Sequence, residues 1–286
     1  MPFLGAHLSA AGGVSRAAVA ASTVGCEALQ VFLRAPGRWA AVPLADAEVG
    51  RFGAACADGG LLGRCFAHAP YLLNLASSDA ALRERSIAVL AEELARAARL
   101  GLAGVVLHPG SAGSGDPRAA QARCRDAIAA ALDGAGADAA KLLLEGTAGA
   151  GGLLGRTPAE LRSLVEEPLR SRVGVCLDTA HLWGAGYDLR HGGWERALGE
   201  LGEHWGVAAP ELVHANDTPV ELGSRRDRHA PPGEGRLGRE VFRRILADPR
   251  CAAVALVMEI PPGDGNRDVK AALRRLRRWR REALGD

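Results

Sequence analysis

Val173-Gly174-Val175-Cys176-Leu177-Asp178 is a short, almost wholly apolar stretch that ends in a carboxylate. It lacks the alternation of a strand with one solvated face, so it is typical of a parallel strand that is covered on both faces. Seven other stretches share this pattern, and longer segments rich in Ala, Leu and Arg separate them. The eight predicted strands are Phe3–Leu8, Ala28–Leu33, Arg64–Ala67, Gly104–His108, Lys141–Glu145, Val173–Asp178, Glu211–His214 and Ala253–Ile260.

The segments between the predicted strands begin with helix start signals at Asp79, at Asp116 and in the stretch Thr157–Glu160. Eight strand–helix units in 286 residues match the size of a (β/α)8 TIM barrel. We therefore predict one α/β barrel domain over residues 1–286. A doubly wound sheet would also alternate strands and helices, but Ala11–Gly13 is a poor version of its glycine-rich phosphate turn.

Composition limits the class of protein. Hydrophobic residues make up 48% and charged residues 24%, a balance that excludes a disordered chain. No apolar run approaches the roughly 20 residues that cross a bilayer, and the first residues lack the features of a signal peptide. We therefore expect a cytoplasmic protein with no membrane partner. The six cysteines form no Cys-x-x-Cys pair, which argues against a disulfide framework and against a zinc ribbon.

Arginine dominates the basic residues, since Lys141 and Lys270 are the only lysines among 35 of them. A coding bias or a role in phosphate binding would explain this, and composition does not choose between the two. The arginine-rich stretch 267–282 could form a nucleic-acid patch. However, Leu273, Leu276 and Trp279 recur at three-residue spacing, which favours an outer barrel helix with a solvated basic face.

Metal-binding residue types stand at the ends of six predicted strands. They are His68, His108, Glu145, Asp178, His214 and Glu259. In a barrel the carboxyl ends of the strands converge on one rim, which is where barrel enzymes have their active sites. Carboxylates at such a rim are costly without a cation, and no lysine stands at the carboxyl end of a predicted strand. A bound divalent metal is the expected source of positive charge.

Two further segments add donors to this rim. His181 follows Asp178 by three residues, and a polar loop brings Asp227 and His229. Nine donors are too many for one ion, and mixed nitrogen and oxygen ligation suits zinc or manganese, so we predict a cluster of two or three metals. Such clusters are suited to phosphate ester hydrolysis, and Glu145 is our candidate for the carboxylate that bridges two ions.

The remaining three histidines have other predicted roles. His191 and His204 lie in polar segments, so we expect them at the surface. His7 ends the first predicted strand at the same rim but has no acidic companion, so we expect it to support a metal ligand rather than to be one.

Several motifs follow one another along nearly the whole chain. They are Gly5–Gly13, His108–Ser111, Glu145–Gly149, Gly174–His181, Ala185–Asp188, His214–Asp217, Gly223–His229 and Gly233–Gly235. As a set they resemble the endonuclease IV family of apurinic/apyrimidinic (AP) endonucleases. The resemblance implies a zinc-dependent TIM barrel that cleaves double-stranded DNA 5′ to an abasic site and leaves a 3′-hydroxyl and a 5′-deoxyribose phosphate. Removal of blocking groups from 3′ ends is implied as well.

The resemblance also implies how three zinc ions would be held, and the mixed nitrogen and oxygen donors would accept manganese in part of the sites. The first would bind His68, His108 and Glu145; the second Glu145, Asp178, His214 and Glu259; and the third His181, Asp227 and His229. Glu145 would then be the catalytic bridge between the first two ions.

The family flips the abasic nucleotide out of the duplex and fills the gap with side chains from rim loops. The corresponding DNA-binding residues here are Arg38, Trp39, Tyr71 and Arg225. The loop before Trp39 departs from the family pattern, because Ala35 replaces a polar residue and Gly37 replaces an arginine. Arg38 can substitute for that arginine from one position later.

Two further departures follow metal-binding positions. Gly146 replaces the usual asparagine after Glu145, and Ile260 replaces the usual threonine after Glu259. These changes affect DNA contact and the hydrogen bonds around the ligands more than metal binding itself. A monomer that associates with the nucleoid through DNA is expected.

Two alternatives remain open. A sugar isomerase or epimerase of the same barrel superfamily would need one metal and four ligands, for which Glu145, Asp178, His214 and Glu259 would serve. That function leaves the other five donors without a role. The second alternative is a protein that binds abasic DNA but does not cleave it.

Overall fold

The computed structural model describes residues 1–285, in which eight parallel strands close into a barrel in chain order. The strands are β1 Phe3–His7, β2 Ala28–Phe32, β3 Cys65–His68, β4 Gly104–Leu107, β5 Leu142–Glu145, β6 Val173–Asp178, β7 Leu212–His214 and β8 Ala255–Met258. The predicted (β/α)8 TIM barrel is confirmed, and no strand boundary differs from the prediction by more than two residues.

Helices connect the strands around the outside of the barrel. They are α1 Val14–Val24, α2 Asp46–Asp58, α3 Ala80–Arg99, α4 Pro117–Ala135, α5 Pro158–Ser163, α6 Thr179–Ala185, α7 Gly193–Trp205, α8 Gly238–Ala247 and α9 Arg267–Leu284. The predicted caps at Asp79 and Asp116 are confirmed, since each carboxylate accepts two backbone N–H bonds. Thr157 caps α5, but the Glu160 carboxylate accepts from the Arg156 amide, one residue before the position that a capping box requires.

The interior of the barrel has an apolar floor. Alternate residues of a strand point to the same side, so residues two apart lie one above the other along the barrel wall. The buried apolar side chains of this floor are Ala28, Phe66, Val106, Leu143, Cys176, Leu212, Ala255 and Val257. On β1, Gly5 fits because a Cβ there would lie 2.2 Å from the carbonyl oxygen of Ala28.

Two residues further toward the carboxyl end of each strand, the side chains that face the barrel interior become polar. At the carboxyl ends of β3 to β8 they are His68, His108, Glu145, Asp178, His214 and Glu259, of which His108 and Glu259 directly follow the last residues of β4 and β8. The polar residues that end the predicted strands therefore form a ring at the carboxyl-end rim, which the floor seals from below.

The C-terminal helix lies on the outer wall. Leu273, Leu276 and Trp279 of α9 are buried, as their spacing predicts, whereas Arg274 and Arg278 are exposed. The outer-helix prediction is therefore confirmed.

The six cysteines are buried free thiols, in agreement with the absence of a predicted disulfide framework. Among the helices of residues 1–285, none combines the length and apolar character that crossing a bilayer requires.

Candidate metal centre

Three groups of metal-binding side chains converge at the rim. Within each group, one donor atom per residue lies within 4.8 Å of the others. The groups are His68, His108 and Glu145; Glu145, Asp178, His214 and Glu259; and Asp178, His181 and His229. Glu145 and Asp178 each belong to two groups, so the three form one continuous cluster.

Glu145 lies at the centre of this cluster, and its side chain is fully buried. One carboxylate oxygen, Oε2, is 3.2 Å from His68 Nε2 and 3.3 Å from His108 Nε2. The other oxygen, Oε1, is 3.0 Å from His214 Nδ1 and 3.2 Å from His181 Nδ1. The two oxygens therefore face different groups, which is the arrangement that a bridging carboxylate needs.

Asp178 and Asp227 flank the third group from opposite sides. The Oδ1 atom of Asp178 caps α6 by accepting the backbone amides of Ala180 and His181, which leaves Oδ2 to face the rim. Asp227 lies on a half-exposed loop, 3.3 Å from His181 Nε2 and 3.2 Å from His229 Nε2. In the structure, the carboxylate grouped with His181 and His229 is that of Asp178, whereas the family resemblance implied Asp227 as their partner. Both carboxylates are within reach of the two imidazoles.

The electrostatics of the rim favour positive charge. Burial alone raises the pKa of the Glu145 carboxyl, but the imidazoles of His108 and His214 outweigh burial and hold that pKa well below its usual range. Burial alone lowers the pKa of His229, yet Asp178 and Asp227 raise it to about 9. In residues 1–285, no arginine or lysine side chain forms an ion pair with the rim carboxylates, whose charged neighbours are imidazoles.

The imidazoles are oriented as metal ligands usually are. His68 Nδ1 lies 2.7 Å from the carbonyl oxygen of Ala69, and His181 Nδ1 lies 2.9 Å from that of Gly146. A carbonyl accepts, so each Nδ1 donates and each Nε2 faces the rim with its lone pair. Among the described residues, the buried Nε2 atoms of His181 and His229 make no well-aligned hydrogen bond, although the Asp227 oxygens lie 3.3 and 3.2 Å away. Unpartnered imidazole nitrogens beside carboxylate oxygens fit divalent metals with mixed nitrogen and oxygen ligands.

Sequence reasoning missed two buried carboxamides that hold the second group. Gln30 on β2 contacts His7, His214 and Glu259. Asn216 donates from Nδ2 to Asp178 Oδ2 at 2.6 Å and accepts the backbone amide of Glu259 at 2.8 Å. Asn216 lies inside a motif that the sequence singled out, but Gln30 is followed by further apolar residues, so its strand showed no polar end. Counting two residues on from Ala28 would have found it.

His7 is beside the cluster rather than inside it. Its Nδ1 atom is 3.0 Å from the amide nitrogen of Gln30 and 3.7 Å from Glu259 Oε1. His191 and His204 belong to none of the three groups, and their side chains are 76% and 33% exposed. The exposed position predicted for His191 is confirmed, whereas His204 is half-buried. The supporting role of His7 stays a prediction.

The predicted DNA-binding residues lie in loops that follow the carboxyl ends of β2, β3 and β7. Tyr71 is 64% exposed, and its ring lies 5.4 Å from that of His68. Arg225 is exposed two residues before Asp227 and has a left-handed φ of 55°, which is uncommon for a residue other than glycine. Arg38 is exposed and Trp39 is half-buried in the loop that follows β2.

Helix α3 fixes the loop that carries Arg38 and Trp39. The buried Arg34 guanidinium donates to Glu93 and to Glu92 at 2.8 Å each, and also to the carbonyl oxygen of Trp39. The indole of Trp39 lies 4.4 Å from the guanidinium carbon of Arg85. This loop is therefore anchored despite its two departures from the family pattern.

A cavity of about 330 Å³ adjoins the first and third groups. The wall of this cavity next to the ligand groups is formed by His68, His108, His181 and Asp227. Further polar groups come from Asn74, Ser111 and Thr147. A closed barrel with a multidentate imidazole–carboxylate rim and an adjoining cavity is compatible with the class of metal-dependent TIM-barrel enzymes.

Comparison with known proteins narrows this class. The family model described as the xylose isomerase-like TIM barrel matches residues 18–279. "Probable endonuclease 4" of Nitratidesulfovibrio vulgaris (strain Hildenborough) is 41% identical over 98% of this chain and 100% of its own length. "Probable endonuclease 4" of Chloroflexus aurantiacus (strain J-10-fl) is 39% identical over 92% of this chain and 93% of its own.

Solved structures agree with this result. Endonuclease IV from Thermus thermophilus superposes with a TM-score of 0.87 at 37% identity, over 98% of this chain and 100% of that one. The chain belongs to the endonuclease IV family. A D-tagatose 3-epimerase-like protein has a TM-score of 0.72 at 17% identity, over 99% of this chain and 98% of that one, which is a likeness of fold alone.

Proposed function

We propose that this protein is a zinc-dependent DNA repair endonuclease that hydrolyses the phosphodiester 5′ to abasic sites. The observation that carries the proposal is the fully buried Glu145 carboxylate, whose two oxygens face two different ligand groups. The family's relatives named endonuclease 4 and the structure of endonuclease IV support DNA as the substrate.

The nine rim donors would hold three zinc ions, part of which manganese can replace. His68, His108 and Glu145 would hold the first; Glu145, Asp178, His214 and Glu259 the second; and His181, Asp227 and His229 the third, with Asp178 within reach. When bound, such ions lower the pKa of water and neutralise the charge on phosphate oxygens. In the net reaction, a water oxygen bonds to phosphorus and the bond from phosphorus to the 3′ oxygen breaks. That oxygen leaves as a 3′-hydroxyl.

The chain's own residues position the reacting groups. Asp178 accepts two backbone amides at Oδ1 and the Asn216 amide at Oδ2, so its carboxylate is held in one orientation at the rim. Tyr71 lines the cavity, and Arg38 and Trp39 lie in the Arg34-anchored loop after β2; these side chains would contact DNA beside an extruded nucleotide. Arg225 would contact a phosphate. The cavity of about 330 Å³ would admit one sugar–phosphate unit.

A duplex with a single tetrahydrofuran abasic analogue tests this function, with an undamaged duplex as control. We expect incision on the 5′ side of the analogue and about three zinc ions per chain. Ketose–aldose turnover with one metal per chain would instead indicate a sugar isomerase, and tight binding without a nick would indicate a damage-binding protein. Either result would overturn the proposal.

Two properties follow from the same function. A duplex with a 3′-phosphate at a nick should be converted to a 3′-hydroxyl. Affinity for abasic DNA should fall steeply with salt, because arginines that contact phosphates release counterions. We expect the protein to act as a monomer in the cytoplasm, at the nucleoid.

A further inference from the structure

Gln30 completes the ring of inward-facing residues at the rim. It stands on β2 two residues above Ala28 of the barrel floor and is paired in register with His7 of β1. It is fully buried, and it carries no charge. A buried amide has two N–H donors and a carbonyl acceptor that need partners.

The partners of Gln30 determine which way its amide points. Its nitrogen is 2.7 Å from Glu259 Oε1 and 3.0 Å from His7 Nδ1. A carboxylate oxygen accepts hydrogen bonds, so the atom that faces Glu259 is the amide nitrogen. The other end, the carbonyl oxygen, then faces Nε2 of His214 at 2.9 Å. Every donor and acceptor of the amide is used.

This orientation determines which nitrogen of His214 faces the metal group. A carbonyl oxygen accepts, so Nε2 of His214 donates to Gln30 and Nδ1 is left with its lone pair. Nδ1 is 3.0 Å from Glu145 Oε1 and 3.2 Å from Glu259 Oε2. The two oxygens of the Glu259 carboxylate also have different partners. Oε1 accepts a hydrogen bond from Gln30, whereas Oε2 faces the second group.

The other rim imidazoles show why a side chain is needed here. His68 and His181 donate from Nδ1 to backbone carbonyls of neighbouring loops and present Nε2. His214 is reversed, and the acceptor of its Nε2 is the Gln30 side chain on the opposite side of the barrel interior. Outer partners of this kind fix the tautomer and ring orientation of metal-binding histidines.

We propose that Gln30 is a positioning residue that presents His214 Nδ1 and Glu259 Oε2 to the second metal. This inference rests on the proposed function only in assuming that the rim binds zinc. It assigns a role to a residue outside the nine donors.

The test compares Gln30→Met and Gln30→Glu with the native protein and with Leu29→Met. Methionine has a similar volume and makes no such hydrogen bonds, and glutamate keeps an acceptor for His214 but cannot donate to Glu259. Leu29 is a buried neighbour on β2 whose side chain packs in the outer core, so it controls for packing of the strand. The measurements are the rate of zinc release to a chelator and the absorption spectrum of the cobalt-substituted protein, both without DNA.

We expect one zinc to be released about 10–100-fold faster in both Gln30 variants, with a changed cobalt spectrum and no change in Leu29→Met. Native release rates and a native spectrum in either folded Gln30 variant would overturn the proposal. So would faster release that is matched by the Leu29 variant. Both measurements are made without DNA, so they do not depend on whether the native protein incises DNA. The proposal for Gln30 and the proposed function can therefore fail separately.

Discussion

The rim and helix α9 are both dense in charged side chains, but the two regions differ in burial and in how their charges are compensated. At the rim, Glu145 and His214 are fully buried, and carboxylates contact several imidazoles at once. On α9, arginines are paired with single glutamates: Arg280 with Glu27 and Arg275 with Glu234. The more exposed Arg275–Glu234 pair is solvated and contributes little, and the Arg280–Glu27 pair is only partly buried. The fully buried carboxylates of the rim need compensating cations.

The comparison shows that the number of charges does not identify a functional site. The arginines of α9 attract attention in the sequence because they are numerous, but the apolar stripe beneath them accounts for the helix. The rim donors are scattered from His68 to Glu259 and form one cluster only after the barrel closes.

The largest effect is expected at the rim. Glu145→Ala should reduce incision of abasic DNA at least about a thousandfold, because it removes the carboxylate between two ligand groups and with it several kcal/mol of stabilisation of the transition state. Circular dichroism should show a folded barrel. His191→Ala, at an exposed position, is the control and should keep the native rate. Incision at the native rate by Glu145→Ala would show that Glu145 is not the bridging carboxylate.

An intermediate effect is expected where α9 is tied to the barrel. Glu27 accepts from Arg280 at 2.7 and 2.8 Å and from the backbone amide of Leu4. Glu27→Gln should lower the free energy of unfolding by about 1–2 kcal/mol, measured by urea denaturation of the metal-free protein at neutral pH. Glu282 on α9 forms a more exposed pair with Arg239. Glu282→Gln should change the free energy of unfolding by less than about 0.5 kcal/mol.

The Glu27 effect should depend on pH in one direction. Burial raises the pKa of this carboxyl, but Arg280 and the Leu4 amide outweigh burial and lower it overall. The stabilisation is therefore present above the ordinary pKa of glutamate and is lost as the pH falls through the lowered value. The difference between the native protein and Glu27→Gln should shrink in acid; a constant difference would mean that packing, rather than charge, is responsible.

The smallest effect is expected on the outer face of α9. Replacing Arg274, Arg278 and Arg281 together by glutamine should leave the affinity for abasic DNA and its salt dependence unchanged, because these side chains lie on the outer wall. Arg225→Gln at the rim should instead lower the salt slope by about one. A reduced slope in the triple variant would make α9 part of the DNA-binding surface after all.

The sequence predicted the strands well because each is an apolar run with a clear end, and it predicted most of the rim because polar residues stand at those ends. It missed Gln30, since Val31 and Phe32 follow it and the run does not stop there. It gave no sign of the Arg34 anchor, because Glu92 and Glu93 are almost 60 residues away and meet Arg34 only when α3 packs beside the loop.

What the sequence determined by itself is local: the order of strands and helices, the side to which alternate residues point, and the types of donor at the strand ends. These depend on hydrophobic periodicity over a few residues, which folding does not change. The residue pattern alone did not show which donors share a group, for which the sequence offered only a family resemblance. The tertiary structure decided the grouping, the directions in which the two oxygens of Glu145 point, and the contact between Gln30 and His214. Those features depend on the register between strands and on the closure of the barrel, which bring residues more than a hundred positions apart to within 3 Å of one another.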